Sequence, residues 1–262
     1  LHGGVEGRRI GGFPKQQMKQ MSKAAPVARP RGRPPKSAAA IGNEAGLSRS
    51  TIIEKVLELT KAEPLQDVSI TLIARELGVV PGLIYYYIGN RDNLVSGVMN
   101  QFYENRMRTM APLTGDWRTD VEDIARTNLK LSNKYPGVAH YIVSSRGPYR
   151  LFQTVSEHET DFGMVYFDHM SAAFLQGGFT PEQAALAYRL LAQFVASCFA
   201  PRSTAPGVST AEQVKQRFEE LDDESYPSAK TVGAHFSALK TKDLFEAGLE
   251  LLLDGFETWL ER

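Results

Sequence analysis

At 262 residues and 42% apolar side chains, the chain has enough sequence for one large core or two modest ones. Its single cysteine, Cys198, excludes an internal disulfide framework and suits a reducing, cytoplasmic setting, and its longest apolar run, Leu190 to Ala200, is too short for a bilayer. Thirty basic and thirty acidic residues cancel in sum but not in place: residues 1–36 hold nine Lys and Arg against Glu6 (net +8), leaving 21 basic and 29 acidic residues (net −8) elsewhere.

A basic arm on an acidic body points to a nucleic-acid tail joined to a part with another task. Residues 1–45, rich in Gly, Pro, Ala, Lys and Arg, are expected to be disordered. The first 17 are read as a leader or expression remnant, with Met18 or Met21 as natural start, and no apolar segment follows their basic residues as a secretory signal requires. Within the arm, Pro30-Arg31-Gly32-Arg33-Pro34 resembles the core of an AT-hook. Proline keeps the chain extended and glycine removes bulk, so Arg31 and Arg33 can lie along a narrow A·T-rich minor groove. The alternative is a flexible tail with non-specific attraction for phosphate.

The first predicted helix is capped by Ser48 and carries the apolar stripe Ile52, Ile53, Val56, Leu57 and Leu59, with Pro64 closing it. Ser69 caps a short second helix with Leu72, Ile73 and Leu77 on its apolar face. Gly78 suits the left-handed turn that ends it, and Pro81 suits the first turn of a third helix ending in Tyr85, Tyr86 and Tyr87. Two short helices joined so closely read as a helix-turn-helix, whose second helix enters the DNA major groove. Asn90 caps a fourth helix with Leu94, Val98 and Phe102 on one face, running to about Thr109.

Ile73-Ala74, Gly78-Val79, Gly82, Ile84-Tyr85 and Arg91-Asp92-Asn93-Leu94 match, in order, the DNA-binding signature of the tetracycline-repressor (TetR) family, which the chain resembles over about a quarter of its length. The resemblance implies DNA contacts at all three tyrosines, with Tyr86 and Tyr87 favoured for bases or sugars, and a phosphate contact at Arg91, where relatives commonly carry Lys. Val80 stands where Ser or Thr often caps the recognition helix. Leu83 stands where Thr or Asn often faces DNA, so that face becomes more apolar. The spacing itself sets limits: successive helical residues step about 100°, so one tyrosine is expected to pack inward while two reach DNA. Ser69 and Thr71 can donate hydroxyls to phosphate, and Pro81 and Gly82 allow close backbone approach. The rival reading of the tyrosines is a set of partly buried aromatics that stabilise a small unit, and that of Arg91 a solvated charge.

Beyond Pro112 the period is helical throughout. Helices are expected at about 116–135, 137–145, 149–176 with a bend near Gly163, 181–200, 211–221 and 242–260. This half also resembles the family's regulatory domain, in Asp116-Trp117-Arg118, Gly178-Phe179-Thr180-Pro181-Glu182 and the run Phe245 to Phe256. The expected class is therefore all-α: a basic arm (1–45), a three-helix helix-turn-helix DNA-binding domain (46–93) and a larger helical bundle for ligand binding and dimerisation (94–262). Trp117, Tyr141, Phe152, Phe167, Met170 and Phe174 are candidates for an apolar ligand cavity, although each could equally be core. Phe245, Leu249, Leu252, Phe256 and Trp259, with Gly248 and Gly255, form a stripe suited either to a dimer interface or to internal packing. Glu157, His158, Glu159 and Asp161 read as a solvated face rather than a metal site, since His-x-x-x-His is absent.

The chain has no Gly-x-Ser-x-Gly, Gly-rich phosphate loop or His-Glu-x-x-His, so no enzyme activity or cofactor is expected. The expected partners are a double-stranded operator, a small-molecule effector and a second copy of the chain, without a membrane. Repression released by ligand is the expected mode; the rivals are a non-specific architectural DNA binder acting through the arm and, ranked below it, an all-helical enzyme.

Overall fold

A computed structural model describes residues 46–144, 159–199 and 210–261, which contain eleven helices and no strand. The helices are α1 (Arg49–Leu59), α2 (Ile70–Leu77), α3 (Pro81–Ile88), α4 (Arg91–Thr109), α5 (Trp117–Lys134), α6 (Pro136–Ser144), α7 (Phe162–Gln176), α8 (Pro181–Cys198), α9 (Ala211–Glu219), α10 (Pro227–Ala238) and α11 (Thr241–Leu260). Arg31, Arg33 and Phe152 lie outside the described residues.

Most of these helices start where a side chain can accept an otherwise orphaned N–H. Ser48 and Thr51 form a reciprocal capping box at α1, and Thr180 with Gln183 does the same at α8. Ser69, Asn90, Asp116 and Asp161 cap α2, α4, α5 and α7. Val80 offers α3 no side-chain cap, and Pro81, which lacks an N–H, opens that helix instead. Between α2 and α3, Gly78 adopts φ +67°, a left-handed conformation in which a Cβ would be strained.

Helix α4 is the spine. Leu94, Val98 and Phe102 are fully buried along it, and it packs against α1 near its start and against α5 and α7 further on. One continuous apolar cluster therefore runs from α1–α3 through α4 into α5, α7, α8 and α11. Three polar ties join α1 and its following loop, or α4, to the bundle. Arg49 pairs with Glu159. Asn100 of α4 donates to the Thr160 carbonyl (3.0 Å) and accepts from the Phe162 N–H (2.9 Å), holding the start of α7. The Gly137 N–H donates to the Thr60 carbonyl (2.9 Å), so the end of α1 and the start of α6 satisfy each other.

One expectation changes, and one open alternative is decided. The helix expected to run from 149 to 176 is interrupted: Glu159 to Asp161 are non-helical, and Asp161 caps a new start at Phe162 by accepting from the Met164 N–H. The stripe Phe245, Leu249 and Phe256 on α11 is buried in the chain's own core, with Leu252 and Trp259 packed against it. Helix α10 was not expected from the sequence. Gly233 is its one buried residue, and it lies against the Phe218 ring of α9.

Candidate nucleic-acid interface

Three inward residues fix which side of α3 faces out. Leu83, Ile84 and Ile88 are buried, which leaves Pro81, Gly82, Tyr85 and Tyr86 on the opposite face. Tyr85 and Tyr86 are 53% and 58% exposed, side by side on that outer face. Tyr87 is the inward tyrosine: half-buried, it packs against the core and meets Tyr86 edge-on at 5.2 Å. The free pair is therefore Tyr85 and Tyr86 rather than Tyr86 and Tyr87. Leu83 also departs from expectation. At 2% exposure it cannot contribute to an outer surface, because it lies four residues before Tyr87 on the same inward stripe.

Ser69 and Thr71 are exposed at the start of α2, which packs against α3. The Ser69 hydroxyl already accepts from the Leu72 N–H (3.1 Å), as a cap, and retains its own proton for donation. Arg91 is differently placed. Its guanidinium donates to the carbonyls of Val68, Leu65 (2.7 Å) and Gln66 (3.1 Å), tying the loop before α2 to the start of α4. That contact orients α2 and α3 from behind. The corner between α3 and α4 is tightened further by Asn93, whose side-chain amide donates to the Ile88 carbonyl (3.1 Å).

The described candidates for ligand binding differ in their surroundings. Trp117 and Phe174 both pack edge-on to Phe179, at 5.0 and 5.4 Å, and Phe174 and Met170 are fully buried. Those two belong to the core. Phe167 lies two turns before Phe174 on α7 and contacts Tyr188 of α8 at 5.3 Å, while Tyr141 is half-buried on α6. Among the described residues no group of three His, Cys, Asp or Glu side chains could hold a metal ion, and no helix is long and apolar enough to cross a membrane.

A polar group not singled out in the sequence sits inside the bundle. Arg106 of α4 and Asn128 of α5 are buried, and both reach Tyr166 of α7. The signal was available. Extending the four-residue spacing Val98, Phe102 by one step arrives at Arg106, a charge on an apolar stripe. Burial pushes the phenols of Tyr103, Tyr166 and Tyr188 above the usual tyrosine range, which keeps all three neutral.

A three-helix unit presenting one short helix, carried by a long spine into a larger helical bundle, defines the class of helix-turn-helix proteins with a helical regulatory part. The family description "Tetracyclin repressor-like, C-terminal domain" matches residues 111–260, more than half of the chain. The chain belongs to the tetracycline-repressor family of transcriptional regulators. Among solved structures it is similar to ActR of Streptomyces coelicolor in complex with actinorhodin, at 24% identity and a TM-score of 0.66 over 82% of this chain and 99% of that one. The ActR complex with (S)-DNPA is similar at 23% identity and a TM-score of 0.65, covering 81% and 98%. The regulator SCO7222, also from Streptomyces coelicolor, aligns at 19% identity and 0.62, covering 81% and 99%. At these identities the likeness concerns the fold. No curated protein sequence matches the chain.

Proposed function

We propose that the protein is a sequence-specific repressor that binds a palindromic operator as a homodimer and leaves it when a small molecule enters the C-terminal bundle. The observation that carries this reading is the outward face of α3, where Tyr85 and Tyr86 are exposed beside Pro81 and Gly82 while Leu83, Ile84 and Ile88 are packed inward. Phenols donate to phosphate oxygens, and their rings meet thymine methyl groups in the major groove. Ser69 and Thr71 add hydroxyls for the backbone, and the basic arm with Arg31 and Arg33 reaches the adjacent groove. Arg91 serves the interface by holding the helix-turn-helix in shape.

One helix-turn-helix makes few contacts, and a two-fold pair doubles them. Helices α8 and α11 offer a surface for pairing: Leu186 and Leu190 on α8, and Leu244 and Leu251 on α11, are exposed, with Ala185 and Gly255 allowing close approach. Pairing must place two α3 helices about 34–36 Å apart, one DNA turn, or a multiple of it. A ligand shifts that spacing only through its differential affinity for two arrangements of the bundle. The ties at Asn100, Arg49 and Gly137 would carry the shift to α1–α3. ActR, of similar fold, has been solved with two different small molecules, which supports an effector here.

The test is selection from a random DNA library, followed by sedimentation of the protein. Wild type is expected to enrich a two-fold symmetric site and to sediment as a dimer. Leu251→Glu, which puts a charge on a side chain 73% exposed, is expected to fold, sediment as a monomer and enrich nothing. Failure of wild type to enrich any site overturns the reading.

A further inference from the structure

Arg106 is 7% exposed and has no carboxylate partner among the described residues. Its guanidinium lies over three rings, 4.7 Å from Phe102, 5.3 Å from Tyr103 and 5.0 Å from Tyr166, and its Nε is buried with no hydrogen-bond partner. A guanidinium keeps its charge permanently. Aromatic faces attract a cation but do not neutralise it, and buried neutral phenols supply no negative charge. Asn128, also 7% exposed, donates from its amide nitrogen to the Tyr166 hydroxyl oxygen (2.7 Å), while its Oδ1 has no partner. Turning the amide over would orphan the nitrogen instead. One phenol thus lies between a cation without a carboxylate and an amide with one orphaned atom, in the interior between α4, α5 and α7. Buried charges are ordinarily paired, and leaving one alone is costly.

We propose that this cluster is the effector-recognition site of the regulator described above, a reading on which the inference rests, and that the effector is an organic carboxylate with a flat, apolar body. The planar fork of Arg106 matches a carboxylate in shape, and its single charge matches a single negative charge. A dianionic phosphate would leave excess charge in the same interior. Asn128 bonds a second polar group of the ligand, and the rings of Phe102, Tyr103 and Tyr166 pack against its body. Because Arg106 belongs to α4, pairing acts directly on the helix that carries the helix-turn-helix.

Titration calorimetry on the full chain, with 2-naphthoate and its neutral isostere 2-naphthamide as probes, tests this. Wild type is expected to bind the acid at least about tenfold more tightly than the amide, and Arg106→Met to bind both alike to within about twofold. A merely structural arginine gives a different thermal signature. If Arg106 only supports the rings, Arg106→Met melts lower than wild type. If it is an unpaired charge awaiting a ligand, the free variant melts at the same temperature or higher, and 2-naphthoate raises the melting temperature of wild type alone. Equal binding of acid and amide by wild type, no binding of either, or a preference for the acid retained in Arg106→Met overturns the proposal. The wild-type comparison stands even if the variant fails to fold. Binding of the selected DNA is measured in parallel. Retained DNA binding with no preference for the acid sinks the anionic effector alone, whereas absence of DNA binding sinks the regulator reading.

Discussion

The Arg91 guanidinium holds three carbonyls of the Leu65–Val68 segment at the base of α4. Removing it leaves those acceptors without a shared donor, so Arg91→Ala is expected to lower the unfolding free energy in urea by about 1–3 kcal/mol. Arg91→Lys should recover only part of this, because an ammonium lacks the planar fork. An Arg91→Ala variant that unfolds like wild type while losing DNA would make the residue a phosphate ligand instead. Position 91 shows where sequence reading stops: the family pattern asks for a cation there, but carbonyl and phosphate oxygens accept the same donors. Leu83 makes the same point from the apolar side, since burial, not residue type, decides whether it can touch DNA. His169 supplies a pH dependence. Its Nε2 is buried without a partner, and burial holds its pKa below the ordinary 6.5, against the opposing pull of Asp120 and Asp168. As pH falls through 6.5 the unfolded chain takes a proton that the folded chain resists, so stability is present above that value and declines below it. Thermal melts at pH 7.5 and 5.5 should show a smaller acid-side drop for His169→Gln than for wild type. An identical drop in both would remove His169 from the account.

Helix ends decide how the elements meet. A Cβ on Gly137 would stand 2.1 Å from the Glu63 carbonyl oxygen and 2.8 Å from that of Thr60, so the start of α6 fits against the end of α1 only without a side chain. Both neighbours are backbone and cannot rotate aside. Gly137→Ala should therefore destabilise the protein by about 1–3 kcal/mol in urea. No change would mean that this junction is loose. The caps at Ser48, Ser69 and Asn90 were legible in sequence because an oxygen-bearing side chain before an apolar period has a specific local use. The break before Phe162 was not, since Asn100, which holds it, lies 62 residues earlier in the chain. Helix α10 escaped for another reason. With only Gly233 buried, it shows no apolar stripe, and it is held by the Phe218 ring and by Lys230, which donates to the Leu221 carbonyl.

On the scale of the molecule, the neutral total of charge is uninformative and its distribution is not: a basic segment of net +8 precedes a remainder of net −8. The acidic remainder includes the ladder in which Arg118 meets Glu250, Asp254 and Glu257, and Arg126 meets Glu122 and Glu246, fixing α5 to α11. These exposed pairs orient the two helices while the apolar cluster supplies the cohesion. That cluster passes without interruption through α4, so a change at Arg106 and a change at Tyr86 are linked by one packed helix. The class of fold followed from helical periodicity and the family pattern, whereas the interior polar cluster depends on residues from three helices meeting, which spacing along one helix does not reveal. The central claim is that the outward face of α3 lies on DNA bases. It is tested most directly by placing a photoreactive benzophenone side chain at position 86 or at position 87 and irradiating each protein with the selected operator. The account predicts cross-links from position 86 to bases of both half-sites and few from position 87, which points into the core. Cross-links from position 87 alone, or none from position 86 in a protein still bound to its operator, would contradict it.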